Sequence, residues 1–215
     1  MYTSDIICVT NRIICSNNGE SFLERIGKVV KSRPHAIILR EKDLSLSEYR
    51  ELARAVSEIC RKTDGSRLII HNFYELVLEE DSEVKYTFLH MPLWKLEDLY
   101  ENSHDVYKRL REKLTVLGAS CHSVEDAKLA EKLGCTYIIA GHIYNTDCKK
   151  GLEGRGLGFL TEVADSVKIP VYAIGGITPE NIGEVRNAGA SGACIMSSSM
   201  TCNSPKELLE SFRKE

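Results

Sequence analysis

The chain has 215 residues, 43% of them hydrophobic, and a formal net charge of −3. That length fits one large domain better than two small ones, and a slightly acidic balance gives no general field for nucleic acid or an anionic membrane, so any anion must be held by a few local cations. No apolar run approaches the roughly 20 residues that cross a bilayer, no leader precedes the first strand-like run, and the eight cysteines show neither a C-x-x-C pair nor zinc-finger spacing. The expectation is a cytoplasmic chain with free thiols, with no membrane or nucleic-acid partner.

In chain order, short β-branched runs fall at residues 6–10, 36–40, 67–71, 85–90, 115–119, 136–140, 171–175 and 192–196. Amphipathic, charge-rich segments of helical period lie between them, at 47–63, 124–133, 178–188 and 205–214. The fourth unit shows no clean strand-to-helix boundary between Leu89 and Lys113. Alternation of this kind predicts parallel strands with right-handed crossovers, and eight of them in so short a chain can close into a barrel. A doubly wound open sheet fits less well: no G-x-G-x-x-G turn follows the first strand, and the glycines cluster after strands six, seven and eight. The predicted fold class is α/β, a single (β/α)8 TIM barrel over residues 1–215.

Chemistry in such a barrel sits at the carboxyl ends of the strands. Here those ends are polar: Arg40-Glu41-Lys42-Asp43 after the second strand, His71-Asn72 after the third, Ser120-Cys121-His122 after the fifth, Gly141-His142 after the sixth. The seventh strand leaves through Gly175-Gly176 into a helix expected to use Thr178 as N-cap and Pro179 in its first turn. Beside it, Met196, Ser197 and Ser198 offer amides and hydroxyls, so a phosphate is expected on Gly176 and on that turn; a plain tight turn with a capped helix is the alternative. Residues 141–158, with five glycines and the Lys149-Lys150 pair, predict a lid that brings positive charge over an anion, against a merely solvated loop.

His122, directly after strand five, is the candidate general base and acid, weighed against a hydrogen-bonded structural histidine. His71, His90 and His142 also fall at strand ends. They lie on separate strands with no acidic partner beside them, so no metal site is read there. The apolar Met91-Pro92-Leu93-Trp94 stretch is a candidate homodimer interface or ligand-facing patch, or ordinary barrel packing.

Together the motifs resemble the thiamine phosphate synthase and TenI superfamily over nearly the whole chain, and within it the TenI branch. The resemblance rests on Ile38-Leu39-Arg40-Glu41-Lys42, on Ser120-Cys121-His122-Ser123-Val124-Glu125, on Gly175-Gly176-Ile177-Thr178-Pro179 and on the loop from Gly141-His142 through Thr146 to Gly156. The synthase branch carries Gln-x-Arg-x-Lys on strand two and acidic magnesium ligands after strands three and four. Here the glutamine position is Ile38, the Asn-Asp pair is matched by His71-Asn72, and no aspartate follows Leu89.

The resemblance therefore implies a thiazole tautomerase, an isomerase of thiamine biosynthesis that aromatises a carboxythiazole phosphate by proton transfer, with neither metal nor other cofactor. It implies His122 as the proton carrier, Arg40, Lys42, Ser120, Thr146 and Lys149 around the small phosphorylated thiazole substrate, and Gly176, Met196, Ser197 and Ser198 at its phosphate. Two other readings stay open: a magnesium-dependent thiamine phosphate synthase, which is a transferase, and a non-catalytic TenI-like binding or regulatory protein.

Overall fold

The structure, a computed structural model, describes residues 5–16, 20–63, 66–80, 84–146, 149 and 151–213. β1 (Ile6–Val9) is followed by α1 (Arg12–Ser16) and α2 (Phe22–Lys31), β2 (Ala36–Leu39) by α3 (Leu46–Lys62), and β3 (Arg67–His71) by the short α4 (Glu75–Leu78). β4 (Phe88–Pro92) leads to α5 (Leu93–Asn102) and α6 (His104–Lys113), β5 (Val116–Cys121) to α7 (Val124–Lys132), and β6 (Tyr137–Gly141) to α8 (Gly156–Ser166). β7 (Val171–Ile174) precedes α9 (Ile182–Asn187), and β8 (Gly192–Ile195) precedes α10 (Ser197–Thr201) and α11 (Pro205–Ser211). Each strand pairs in parallel with the next, and β8 returns to β1 through Ile6↔Ala193 and Ile7↔Cys194, closing the (β/α)8 barrel.

The strands are apolar on both faces because both are buried, and side-chain parity sorts them into two cores. Ile6, Cys8, Ile37 and Leu39 pack outward beneath the helices, whereas Ile7, Val9, Ala36, Ile38, Ile69, Tyr137, Ile139, Tyr172 and Cys194 fill the barrel interior. The same parity carried past the strand ends decides what reaches the mouth. Ile38 is followed in that register by Arg40 and Lys42, Ile69 by His71, and Val116 by Gly118, Ser120 and His122.

Local signals set the helices against this sheet. Ser21 with Glu24 and Ser45 with Glu48 form reciprocal capping boxes at the starts of α2 and α3. From α3, the fully buried Tyr49 donates its hydroxyl to the Leu39 carbonyl at 2.6 Å and accepts from the His71 amide at 3.0 Å. One phenol thus ties the carboxyl ends of β2 and β3. At the opposite rim Arg186 grips Asp5 with two nitrogens, at 2.9 and 3.1 Å, and donates to the Phe212 carbonyl at 2.9 Å.

Three sequence expectations are corrected. The fourth strand is Phe88–Pro92 rather than 85–90, because pairing with β5 begins at Phe88↔Val116 while the Lys85 ammonium turns back to the Glu79 and Glu80 carbonyls. Thr178 is not the N-cap of the helix after β7: Asn181 occupies that position, and residues 178–181 form a turn held by Asn181 Oδ1, which accepts from the Thr178 amide at 2.9 Å, and by Asn181 Nδ2, which donates to the Gly176 carbonyl at 3.0 Å. The loop after β6 ends at Gly156, where α8 begins, and not at Gly158. Lys150 of the expected lid, with Asp147 and Cys148, lies outside the described residues, as does Lys214 of the expected last helix, which here ends at Ser211.

Gly118 leaves the room that the Tyr137 ring occupies on the neighbouring strand: a Cβ there would overlap the ring carbons and hydroxyl. Gly118→Ala is expected to cost about 2–3 kcal/mol of unfolding free energy through overpacking, read as a lowered urea midpoint with an unchanged m-value.

Candidate active site

The carboxyl ends of the strands surround two adjoining cavities of about 700 and 340 Å³. Val9, Arg40, His122, Lys149 and Ile174 line both, so they mark the junction. The larger cavity adds Lys42, His71, His90, Ser120 and Trp94; the smaller adds Thr146, Gly176, Met196, Ser197 and Ser198. Every site residue expected from sequence therefore faces this mouth. The 91–94 stretch divides: Met91 and Leu93 are buried, while Trp94, 69% exposed, stands at the cavity wall.

His122 is held by two contacts. Its amide donates to Asp126 Oδ2 at 2.7 Å, and its Nδ1 lies 2.8 Å from the Gly141 carbonyl. A carbonyl oxygen can only accept, so Nδ1 carries the proton and the neutral ring keeps its lone pair on Nε2. Asp126 in turn receives the Ser123 cap, its own amide donating to Ser123 Oγ at 2.9 Å. This bracing by Asp126 was not read from the sequence: the S-x-x-D spacing at residues 123–126 signals only the cap of α7, whereas the carboxylate reaches one residue further back, to the His122 amide.

Positive charge gathers on the other side. Lys42 is held below the usual lysine value by partial desolvation first, then by the neighbouring Arg40 and Lys149 charges. Three like charges brought together lower their mutual repulsion when an anion enters between them. Arg40 is set by the strand end: its amide donates to Thr10 Oγ1 at 3.0 Å, and Thr10 donates to Glu41 Oε1 at 2.6 Å. Glu41 also accepts the Arg12 amide, and burial first of all raises its carboxyl above the usual range.

The smaller cavity is shaped by backbone. Gly175 and Gly176 have φ of +102° and +66°, and a Cβ on Gly176 would come within 2.7 Å of the Asn145 carbonyl oxygen and the Tyr144 Cβ. Only glycine fits there. Across from it α10 begins at Ser197, where helix amides point out of the helix toward any anion. The Lys149 amide donates to the Thr146 carbonyl at 3.0 Å and the Leu152 amide to the Lys149 carbonyl at 3.1 Å, while Gly154 donates to Asn145 Oδ1 at 2.7 Å.

Deeper in the larger cavity, burial holds His71 and His90 neutral, lowered to about 2 and about 3. The carboxylates at this wall are Glu97 and Asp126, the latter already engaged by the His122 amide. Among the described residues no group of three His, Cys, Asp or Glu side chains could hold a metal ion. Magnesium needs several oxygen ligands in tight octahedral geometry, and the neutral imidazoles of His71 at the end of β3 and His90 within β4 do not supply them.

A closed parallel barrel with a cation-lined mouth and a glycine cradle defines a barrel built to take small anions. The profile of the thiamine monophosphate synthase family, TMP-TENI, matches residues 6–198. A thiamine-phosphate synthase of Syntrophomonas wolfei is 32% identical over 93% of this chain and 91% of its own, and one of Fusobacterium nucleatum 29% over 97% and 95%. The thiamine phosphate pyrophosphorylase structure from Pyrococcus furiosus superposes with a TM-score of 0.77 at 26% identity, covering 99% of this chain and 95% of that one. The chain belongs to the thiamine monophosphate synthase family. Among the described residues no helix is long and apolar enough to cross a membrane.

The two buried imidazoles set an acid limit. Each is neutral when folded but protonates on unfolding below about pH 6.5, so stability present at neutral pH is lost on acidification. His71→Gln and His90→Gln should each flatten the fall of unfolding free energy between about pH 6 and 5 by up to about 1.4 kcal/mol per pH unit, measured by urea titration at each pH.

Proposed function

We propose that this member of the family aromatises a phosphorylated carboxythiazole by moving one proton, with His122 as base and then acid. The observation that carries the reading is the Nε2 lone pair of His122, left open by the Nδ1 contact to Gly141, at the junction of a glycine-lined cavity and a larger one. The phosphate sits on Gly176 and the Met196–Ser198 turn, which anchors the ring so that C2 meets Nε2. The C2–H bond breaks, its electrons move toward the carboxylate and the exocyclic double bond, and Arg40 and Lys149 stabilise the charge that develops. The imidazolium then returns the proton to the exocyclic carbon, and aromaticity makes the step downhill. Lys42 adds positive charge for the substrate's anionic groups, and Thr146 and Ser120 donate to ring substituents.

A second reading has an observation of its own: the relatives named above are called thiamine-phosphate synthases. Coupling of hydroxymethylpyrimidine diphosphate to thiazole phosphate, with magnesium-assisted loss of diphosphate, is that alternative. The donor set at the mouth fits it poorly, for the reason given above.

Purified protein without added metal should convert the unaromatised carboxythiazole phosphate, followed by absorbance, and His122→Ala should slow turnover by about 100-fold or more. Magnesium-dependent release of diphosphate, with no metal-free turnover, would instead establish the coupling reaction. Gly176→Ala, whose Cβ would press on the Asn145 carbonyl and Tyr144, should lower kcat/KM about tenfold or more, because the displaced phosphate no longer holds C2 against Nε2.

A further inference from the structure

Beneath the mouth, a polar chain crosses the barrel interior. The Tyr137 hydroxyl lies 3.0 Å from His90 Nδ1, and His90 Nε2 lies 2.9 Å from Ser120 Oγ. His90 is 2% exposed and Tyr137 5%, so neither can turn to water for a partner. His71 stacks on the His90 ring at 5.9 Å and 22°, which closes its remaining face toward β3.

The direction of these bonds follows from counting protons. Among the described residues Tyr137 has one side-chain partner, His90 Nδ1, and burial drives its phenol well above the usual value, so it keeps its proton. A buried O–H with a single neighbour gives its proton to that neighbour. His90 Nδ1 is then the acceptor, and in a neutral imidazole the proton must sit on Nε2. Nε2–H donates to Ser120 Oγ. The Ser120 hydroxyl, whose one side-chain partner among the described residues is His90, has its own proton left over and faces the cavity.

We propose that Tyr137 and His90 are positioning residues that commit Ser120 to act as a hydrogen-bond donor toward the bound ligand, so that the larger cavity selects a ligand with an acceptor, such as a carboxylate oxygen or ring nitrogen, at that point. Without the relay, Ser120 could equally give its proton to the imidazole and present only lone pairs, favouring a ligand donor. Gly118, directly before this register position on β5, makes the space in which Tyr137 reaches His90. The His90 tautomer is set by contacts within the protein; the outlet at Ser120 rests on the ligand proposed above.

The test uses the full chain labelled with ¹⁵N-histidine. In long-range ¹H–¹⁵N spectra the His90 ring, assigned by its disappearance in His90→Gln, should be protonated on ε2 with δ1 as acceptor, and Tyr137→Phe should bring in the δ1-protonated form. Binding of the aromatic carboxythiazole phosphate is then measured by calorimetry. Ser120→Ala and Tyr137→Phe should each weaken it about three- to tenfold, and Tyr137→Phe should have no further effect in the Ser120→Ala background. A proton on His90 δ1 in the unmutated protein overturns the relay, whether or not Tyr137→Phe or Ser120→Ala folds. Equal losses in both Ser120 backgrounds overturn the link from Tyr137 to the ligand. If the unmutated chain fails to bind the probe, the proposed function and the outlet fail together, while the tautomer spectrum still decides the relay.

Discussion

Pairing β8 back onto β1 leaves the sheet no edge, and helices outside with side chains inside leave it water only at its rims. A polar group on this sheet therefore has two places to go: past the carboxyl end of a strand, or into a fully partnered chain within the barrel. Arg40, Lys42, Ser120 and His122 take the first course. Tyr137 and His90 take the second, and their chain ends at Ser120, where the two meet. The site is thus an outcome of strand parity, fixed by which residues the barrel turns inward.

The strand ends were legible: Arg40 and Lys42 follow the second strand, and Ser120 and His122 stand at the end of the fifth, so both pairs could be placed at the mouth from sequence, while the inward register of Ile38 and Val116 is seen only in the barrel. The closed barrel was legible too, since alternating apolar strands and amphipathic helices have few other solutions. What escaped depends on contacts between distant segments. The Thr178 cap was misplaced because Asn181 spends its side chain on Gly176 and Thr178 in a turn ahead of the helix. The fourth strand slid because its start is set by pairing with β5, a register that no local pattern announces. The Tyr137–His90 contact joins residues 47 apart, and nothing in either segment names the other.

Family membership and the proposed function concern related chemistries. Membership rests on matches along almost the whole barrel, which report the scaffold and its phosphate-end loops. Coupling and tautomerisation could share that phosphate end, since both act on a thiazole phosphate. They differ in what the ends of β3 and β4 must do: gather oxygen ligands around a divalent ion, or stay neutral beside an organic ring. At the larger cavity burial keeps His71 and His90 uncharged, and the proposed function rests on that neutral wall.

The Arg186 clasp has a consequence for how the chain can be connected. One guanidinium holds both Asp5, just before β1, and the carbonyl of Phe212, just after α11. The first and last described segments are therefore neighbours at the rim opposite the mouth. A short peptide could join them while the polypeptide is cut at an exposed turn elsewhere, and the barrel would be threaded in a rotated order around an unchanged mouth. In such a circular permutant the clasp becomes an internal brace, and the strand that comes first in the gene becomes a matter of history rather than of physics.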